Sequence, residues 1–98
     1  MGRATLVLHE KVIDKDGNIV ELVIWKVSAT PQNQTGIRYR LAFIRRGERV
    51  PAVLYDNHHP KGPHRHIEGS EEPYAFPGVD QLLVDFTADV RRITGGRT

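Results

Sequence analysis

Apolar and polar positions alternate along Ile37 to Ile44, with Ile37, Tyr39, Leu41 and Phe43 on one parity and Arg38, Arg40, Ala42 and Ile44 on the other. A period of two predicts a β-strand with one face in a core and a second face that begins with two arginines. Thr5 to Ile13 reads as an earlier strand, in which Leu6 and Leu8, then Val12 and Ile13, seek burial around the polar His9 to Lys11. Asp16-Gly17 follows and carries the chemistry of a tight hairpin, because Gly and Asp tolerate the positive φ that a primed turn demands. Ile19 to Val27 is then almost continuously apolar, interrupted by Glu21 and Lys26, and predicts a strand near the middle of a sheet, covered on both faces or at least crowded on one. Ser28 to Gly36 is a polar loop with Pro and Gly. Arg49 to Tyr55 completes a fourth strand, where Pro51 removes one ladder donor and points to an edge or a bulge.

The period changes after Gly78. Val79, Leu82, Leu83, Phe86, Val90 and Ile93 fall on one helical stripe, with acids early, arginines late and Gly95-Gly96 at the end. That is an amphipathic helix oriented as the macrodipole favours. The fold class is therefore α+β, in two layers: a four-stranded antiparallel sheet, a long ordered loop, and one C-terminal helix packed on the sheet. All 98 residues are read as one domain. The connection from Tyr55 to the helix spans roughly twenty residues, and so long a loop in a small domain is functional more often than incidental. Pro60, Pro63, Tyr74 and Phe76 predict that it is tethered.

Composition narrows the chemistry. The chain has no cysteine, which excludes disulfides, thiolate nucleophiles and cysteine-based zinc sites, and sets a cytoplasmic protein as the expectation. The N-terminal apolar run is too short for a signal segment or a membrane span. Formal charge is only +2, yet Arg38 to Arg65 holds seven basic residues against two acidic, whereas His66 to Asp89 holds six acids and no Lys or Arg. Either a basic surface awaits a polyanion, or the acidic segment lies over the basic strands.

The loop concentrates imidazole. YDNHHPKGPHRHIEG, Tyr55 to Gly69, contains four of the five histidines. His64 and His66 are two apart, so an extended backbone points both to one side. With Asp56, Glu68 or Glu71 they have the makings of a divalent metal site, but Arg65 and Lys61 place positive charge there, and no metal or cofactor is assigned. Acid/base work fits better, because histidine is the side chain that exchanges protons near neutral pH. In cleavage of RNA by its own 2′-hydroxyl, one imidazole removes a proton and the other supplies one. His64 and His66 are the candidate pair, Lys61 a catalytic cation, and Tyr55 or Asp56 orienting groups. Arg65, Arg38, Arg40 and Arg49 are the candidate phosphate ligands. Two readings compete with this one: a non-catalytic module whose basic sheet face grips nucleic acid or a protein, and a metal-dependent nuclease. His58, His59 and the Asp56-Asn57 pair read as turn residues, and His9 as an ordinary strand residue.

LVLHEKVIDKDGNIVELVIWKV, GIRYRLAFIRRGERV, YDNHHPKGPHRHIEGSEEPYAF and DQLLVDFTADV, in that order, resemble the TumE family of small prokaryotic toxins over about nine-tenths of the chain. The most specific portion is Tyr55-Asp56-Asn57, Lys61-Gly62, His64, His66, Glu72-Pro73-Tyr74 and the helix around Phe86. The resemblance implies the toxin of a type II toxin–antitoxin pair, made beside a cognate antitoxin that is usually a helix-turn-helix protein. It lends weight to Lys61, His64 and His66, but none to His58-His59-Pro60, where the family pattern leads one to expect a charged or glycine-bearing turn. An exposed edge at the first strand or the Pro51 strand would let two copies pair as a homodimer.

Overall fold

The computed structural model describes residues 4–58 and 62–95. Six strands form one antiparallel sheet in simple sequential order: β1 (Thr5–Ile13), β2 (Ile19–Lys26), β3 (Ile37–Ile44), β4 (Val53–Asp56), β5 (His64–Ile67) and β6 (Ser70–Pro73). A single helix, α1 (Val79–Ile93), follows. The α+β class and the packing of the helix on the sheet are as expected, but the sheet has six strands where four were predicted.

The two additional strands lie inside the stretch read as a loop. His-Arg-His-Ile and Ser-Glu-Glu-Pro carry little intrinsic strand preference, so local sequence does not announce them. Pairing with β4 supplies the ladder, with Asp56 opposite His64, Leu54 opposite His66 and Val53 opposite Ile67. Glu68 and Gly69 turn the chain into β6 with φ of 49° and 88°, both in the left-handed region that a primed two-residue turn requires. The expectation for Pro51 is also corrected. It lies ahead of β4, which begins only at Val53, and β4 is an interior strand flanked by β3 and β5. The sheet edges are β1 and β6.

Register assigns the faces. Val20, Leu22 and Ile24 of β2 stand opposite Phe43, Leu41 and Tyr39 of β3, and Leu41 and Phe43 stand opposite Tyr55 and Val53 of β4. These side chains form the core with Leu82 and Phe86 of α1, joined by Tyr74 from the segment after β6. Tyr55 packs edge-on against both Tyr74 and Phe86, with ring centroids 4.8 and 5.7 Å apart. β2 is thus covered by the core on the face of Val20, Leu22 and Ile24, the second of the two alternatives expected for it. The helix buries Leu82, Phe86 and, unexpectedly, Asp89.

Candidate functional site

The face of the sheet away from the helix collects the other parity. Across β2 to β5 it carries Val23, Arg40, Asp56 and His64 in one row, and Glu21, Ala42, Leu54 and His66 in the next. Trp25 and Arg38 stand opposite each other at one end, and Glu71 of β6 faces His66. A cavity of about 350 Å³ lies on this face, lined by Val23, Trp25, Arg38, Tyr39, Arg40, Asp56 and His58.

His64 is only 8% exposed. Its Nδ1 lies 2.7 Å from the Gly62 carbonyl. A carbonyl accepts only, so Nδ1 bears the proton and Nε2 is the free lone pair of the neutral ring. That Nε2 is 3.9 Å from Asp56 Oδ1. The His66 ring meets His64 edge-on at 5.0 Å, and its Nε2 is 3.9 Å from Glu71 Oε2. Asp56 is itself held by a local turn, in which the His58 backbone N–H donates to Asp56 Oδ1 at 2.8 Å. Asn57 continues the sheet by side chain: Tyr39 N–H donates to its Oδ1, and its Nδ2 donates to the Ile37 carbonyl. His58, expected to be a simple turn residue, also contacts the Arg38 guanidinium through Nδ1.

The sequence candidates therefore separate. His64, His66, Asp56, Arg38 and Arg40 share the open face. Tyr55 and Arg65 do not, because each sits one residue from a histidine or an aspartate in an extended strand and must point the other way. Tyr55 is fully buried, and its hydroxyl donates to Asp89 of the helix. Burial, then this bond to an anion, pushes the phenol pKa well up. Arg65 donates to Asp89 Oδ2 and to the Tyr55 hydroxyl, each at 3.1 Å, and to Glu72 Oε1 at 3.0 Å. Its guanidinium is held firmly charged by the Tyr55 bond in particular. Both residues serve to lock the helix onto the sheet. Arg49 lies in the β3–β4 connection, at the far end of those strands from His64 and Asp56. Lys61 lies outside the described residues, as do His59 and Pro60.

The reading of self-neutralisation holds in part. Arg45 pairs with Glu68 at 3.1 Å, and Arg65 with Glu72 and Asp89, so the acidic segment does neutralise part of the basic one. Arg38 and Arg40 stay exposed on the open face, where Arg40 lies 3.6 Å from Glu21. Sequence reading missed Trp25 and Glu21, and gave Glu71 no more than a share in a metal site. A parity count along β2 separates Trp25 and Val23 from Leu22 and Ile24, but it acquires meaning only once the helix is known to cover one face.

Fold and site together define a small α+β protein that brings His64, His66, Arg38 and Arg40 to the sheet face away from the helix. The chain belongs to the TumE toxin family: the model of that family, described as Toxin TumE, matches residues 3–94. Membership makes it a toxin and implies a cognate antitoxin as partner. Comparison with curated proteins and with solved structures gave no match. Among the described residues no helix is long and apolar enough to cross a membrane.

Proposed function

We propose that this toxin is a metal-independent endoribonuclease whose open sheet face holds single-stranded RNA and whose His64 and His66 exchange the protons of cleavage. The supporting observation is the pair of imidazole rings 5.0 Å apart, on the same face as Arg38, Arg40 and Trp25. His64 Nε2, left as a lone pair by the Gly62 bond, takes the proton of the 2′-hydroxyl as its oxygen attacks phosphorus. His66, as imidazolium, gives a proton to the 5′-oxygen as the P–O5′ bond breaks. The products are a 2′,3′-cyclic phosphate and a 5′-hydroxyl. Asp56, 3.9 Å from His64 Nε2, stabilises the imidazolium that forms there, Arg38 and Arg40 neutralise the phosphate, and Trp25 offers a stacking surface for a base. Lys61 is assigned to the crowded phosphorane on sequence grounds alone. The antitoxin, proposed to be a helix-turn-helix protein, would silence the toxin in the cytoplasm.

Expression of His64→Ala and of His66→Ala is expected to abolish growth arrest, and the purified variants, assayed at a temperature where their melting curves show them folded, to lose at least a hundredfold in RNA cleavage. Full toxicity in both would sink the assignment.

The cavity bounded by Trp25, Arg38 and Arg40 also favours a second reading, a module that binds RNA or the antitoxin and does no chemistry. It predicts that the histidines are dispensable, and that Arg38→Glu with Arg40→Glu alone abolishes toxicity.

A further inference from the structure

His64, His66 and Glu71 are brought together by the β5–β6 hairpin, and one donor atom from each lies within 4.8 Å of the other two. Tetrahedral ligand atoms around a zinc ion stand about 3.4 Å apart. Small side-chain rotations therefore close the gap, most easily between His66 Nε2 and Glu71 Oε2, already 3.9 Å apart. The His64 ring is preset as a ligand. Its Nδ1–H donates to the Gly62 carbonyl, which fixes tautomer and orientation and leaves the Nε2 lone pair to act as a ligand, as the outer hydrogen bond of metal-binding histidines does. Asp56 Oδ1, 3.9 Å from the same Nε2, offers a fourth oxygen. Two imidazoles with one or two carboxylates suit a borderline ion such as Zn²⁺ rather than Mg²⁺ or Ca²⁺. Arg65, the neighbouring cation that argued against a metal at the level of sequence, points through the sheet to Asp89.

We propose that His64, His66 and Glu71 form a site for a divalent ion of the zinc class, and that the bound ion switches off the proton-transfer pair by occupying the His64 lone pair and displacing the His66 proton to solvent. The switch rests on the metal-free cleavage proposed above. The site does not.

Titration of the full chain with Zn²⁺ alone, followed by calorimetry and by competition with a chromophoric chelator, is expected to show one ion per chain. Glu71→Gln should weaken binding tenfold or more, whereas His9→Ala, on the opposite edge strand of the sheet, should not. Since His64 is buried and its variants risk misfolding, Glu71→Gln, whose side chain is solvent-accessible, is the decisive variant, with its melting curve as the control for folding. In the cleavage assay Zn²⁺ should inhibit in the range of its Kd, and Glu71→Gln should move inhibition and Kd by the same factor. Absence of binding at micromolar Zn²⁺, or binding unchanged in Glu71→Gln, overturns the site. Binding with cleavage indifferent to Zn²⁺ overturns the switch alone. Cleavage that chelator abolishes and Zn²⁺ restores overturns the switch together with the metal-free mechanism. Failure to cleave RNA under every condition overturns the proposed function and the switch, and the titration still decides the site.

Discussion

Two buried tyrosines show how a single hydroxyl can stabilise or merely be tolerated. The Tyr55 hydroxyl donates to Asp89, whose carboxylate also receives Arg65 and, at 3.0 Å, Arg92. Tyr55→Phe removes one bond to a buried anion and should cost about 1–3 kcal/mol in chemical denaturation, while Asp89→Ala, which strands Arg65 and the phenol together, should cost about 3–5 kcal/mol. The Tyr39 hydroxyl, by contrast, is buried with no hydrogen-bond partner among the described residues, its ring stacked at 5.4 Å on Phe76. Tyr39→Phe is therefore expected to leave the denaturation midpoint unchanged or to raise it by the equivalent of about 1 kcal/mol. A clear loss of stability would show that this hydroxyl has a role the fold does not explain. The sequence marks Tyr74 and Phe76 as tethers of the loop and leaves Tyr55 between that role and one in the site, since nothing local to Tyr55 reveals the aspartate 34 positions away.

At the scale of elements, the β5–β6 hairpin carries the site and α1 holds it in place. Gly69 occupies φ 88°, and a Cβ added there meets nothing within 4 Å, so Gly69→Ala tests backbone strain alone. It should destabilise the protein by about 1–2 kcal/mol and, by loosening the pairing of His66 with Glu71, weaken Zn²⁺ binding as well. The helix is tied down a second time by Tyr74, whose hydroxyl donates to Asp85 Oδ2 at 2.6 Å. That bond, followed by one from Gln81, lowers the Asp85 pKa below its ordinary 3.8. A depressed carboxylate contributes stability that is fully present above the ordinary value and is lost as pH falls through the folded one. Melting followed between pH 5 and pH 2 should therefore drop less steeply in Tyr74→Phe than in the wild type. The helix and the first three strands were legible because their side chains repeat with the period of the element. The hairpin was not, because His-Arg-His-Ile and Ser-Glu-Glu-Pro become strands only by pairing with β4. Its one local signal was Glu68-Gly69, a turn pair less distinctive than Asp16-Gly17.

Across the whole molecule, charge is sorted by face. Arg65 and Arg45 meet carboxylates on the helix side and at the sheet end, while Arg38 and Arg40, the latter beside Glu21, remain on the open side with Trp25. Arg38→Glu with Arg40→Glu is expected to weaken single-stranded RNA binding at least tenfold and to reduce the slope of log K against log salt by about one for each phosphate no longer neutralised, measured by fluorescence anisotropy. Unaltered affinity would remove this face as the RNA surface. Composition and periodicity were sufficient for the α+β class, the hairpin at Asp16-Gly17 and the amphipathic C-terminal helix, the resemblance of the quoted motifs for the family, and parity alone placed His64 and His66 on one side. These are properties of neighbours in the chain, set by backbone geometry. Which side that was, that Tyr55 and Arg65 lie on the other, that Asp89 is buried and that Glu71 reaches His66 were decided by strand register and by the face the helix covers. Such facts depend on contacts between distant segments, and a local pattern carries no information about them until the sheet has closed.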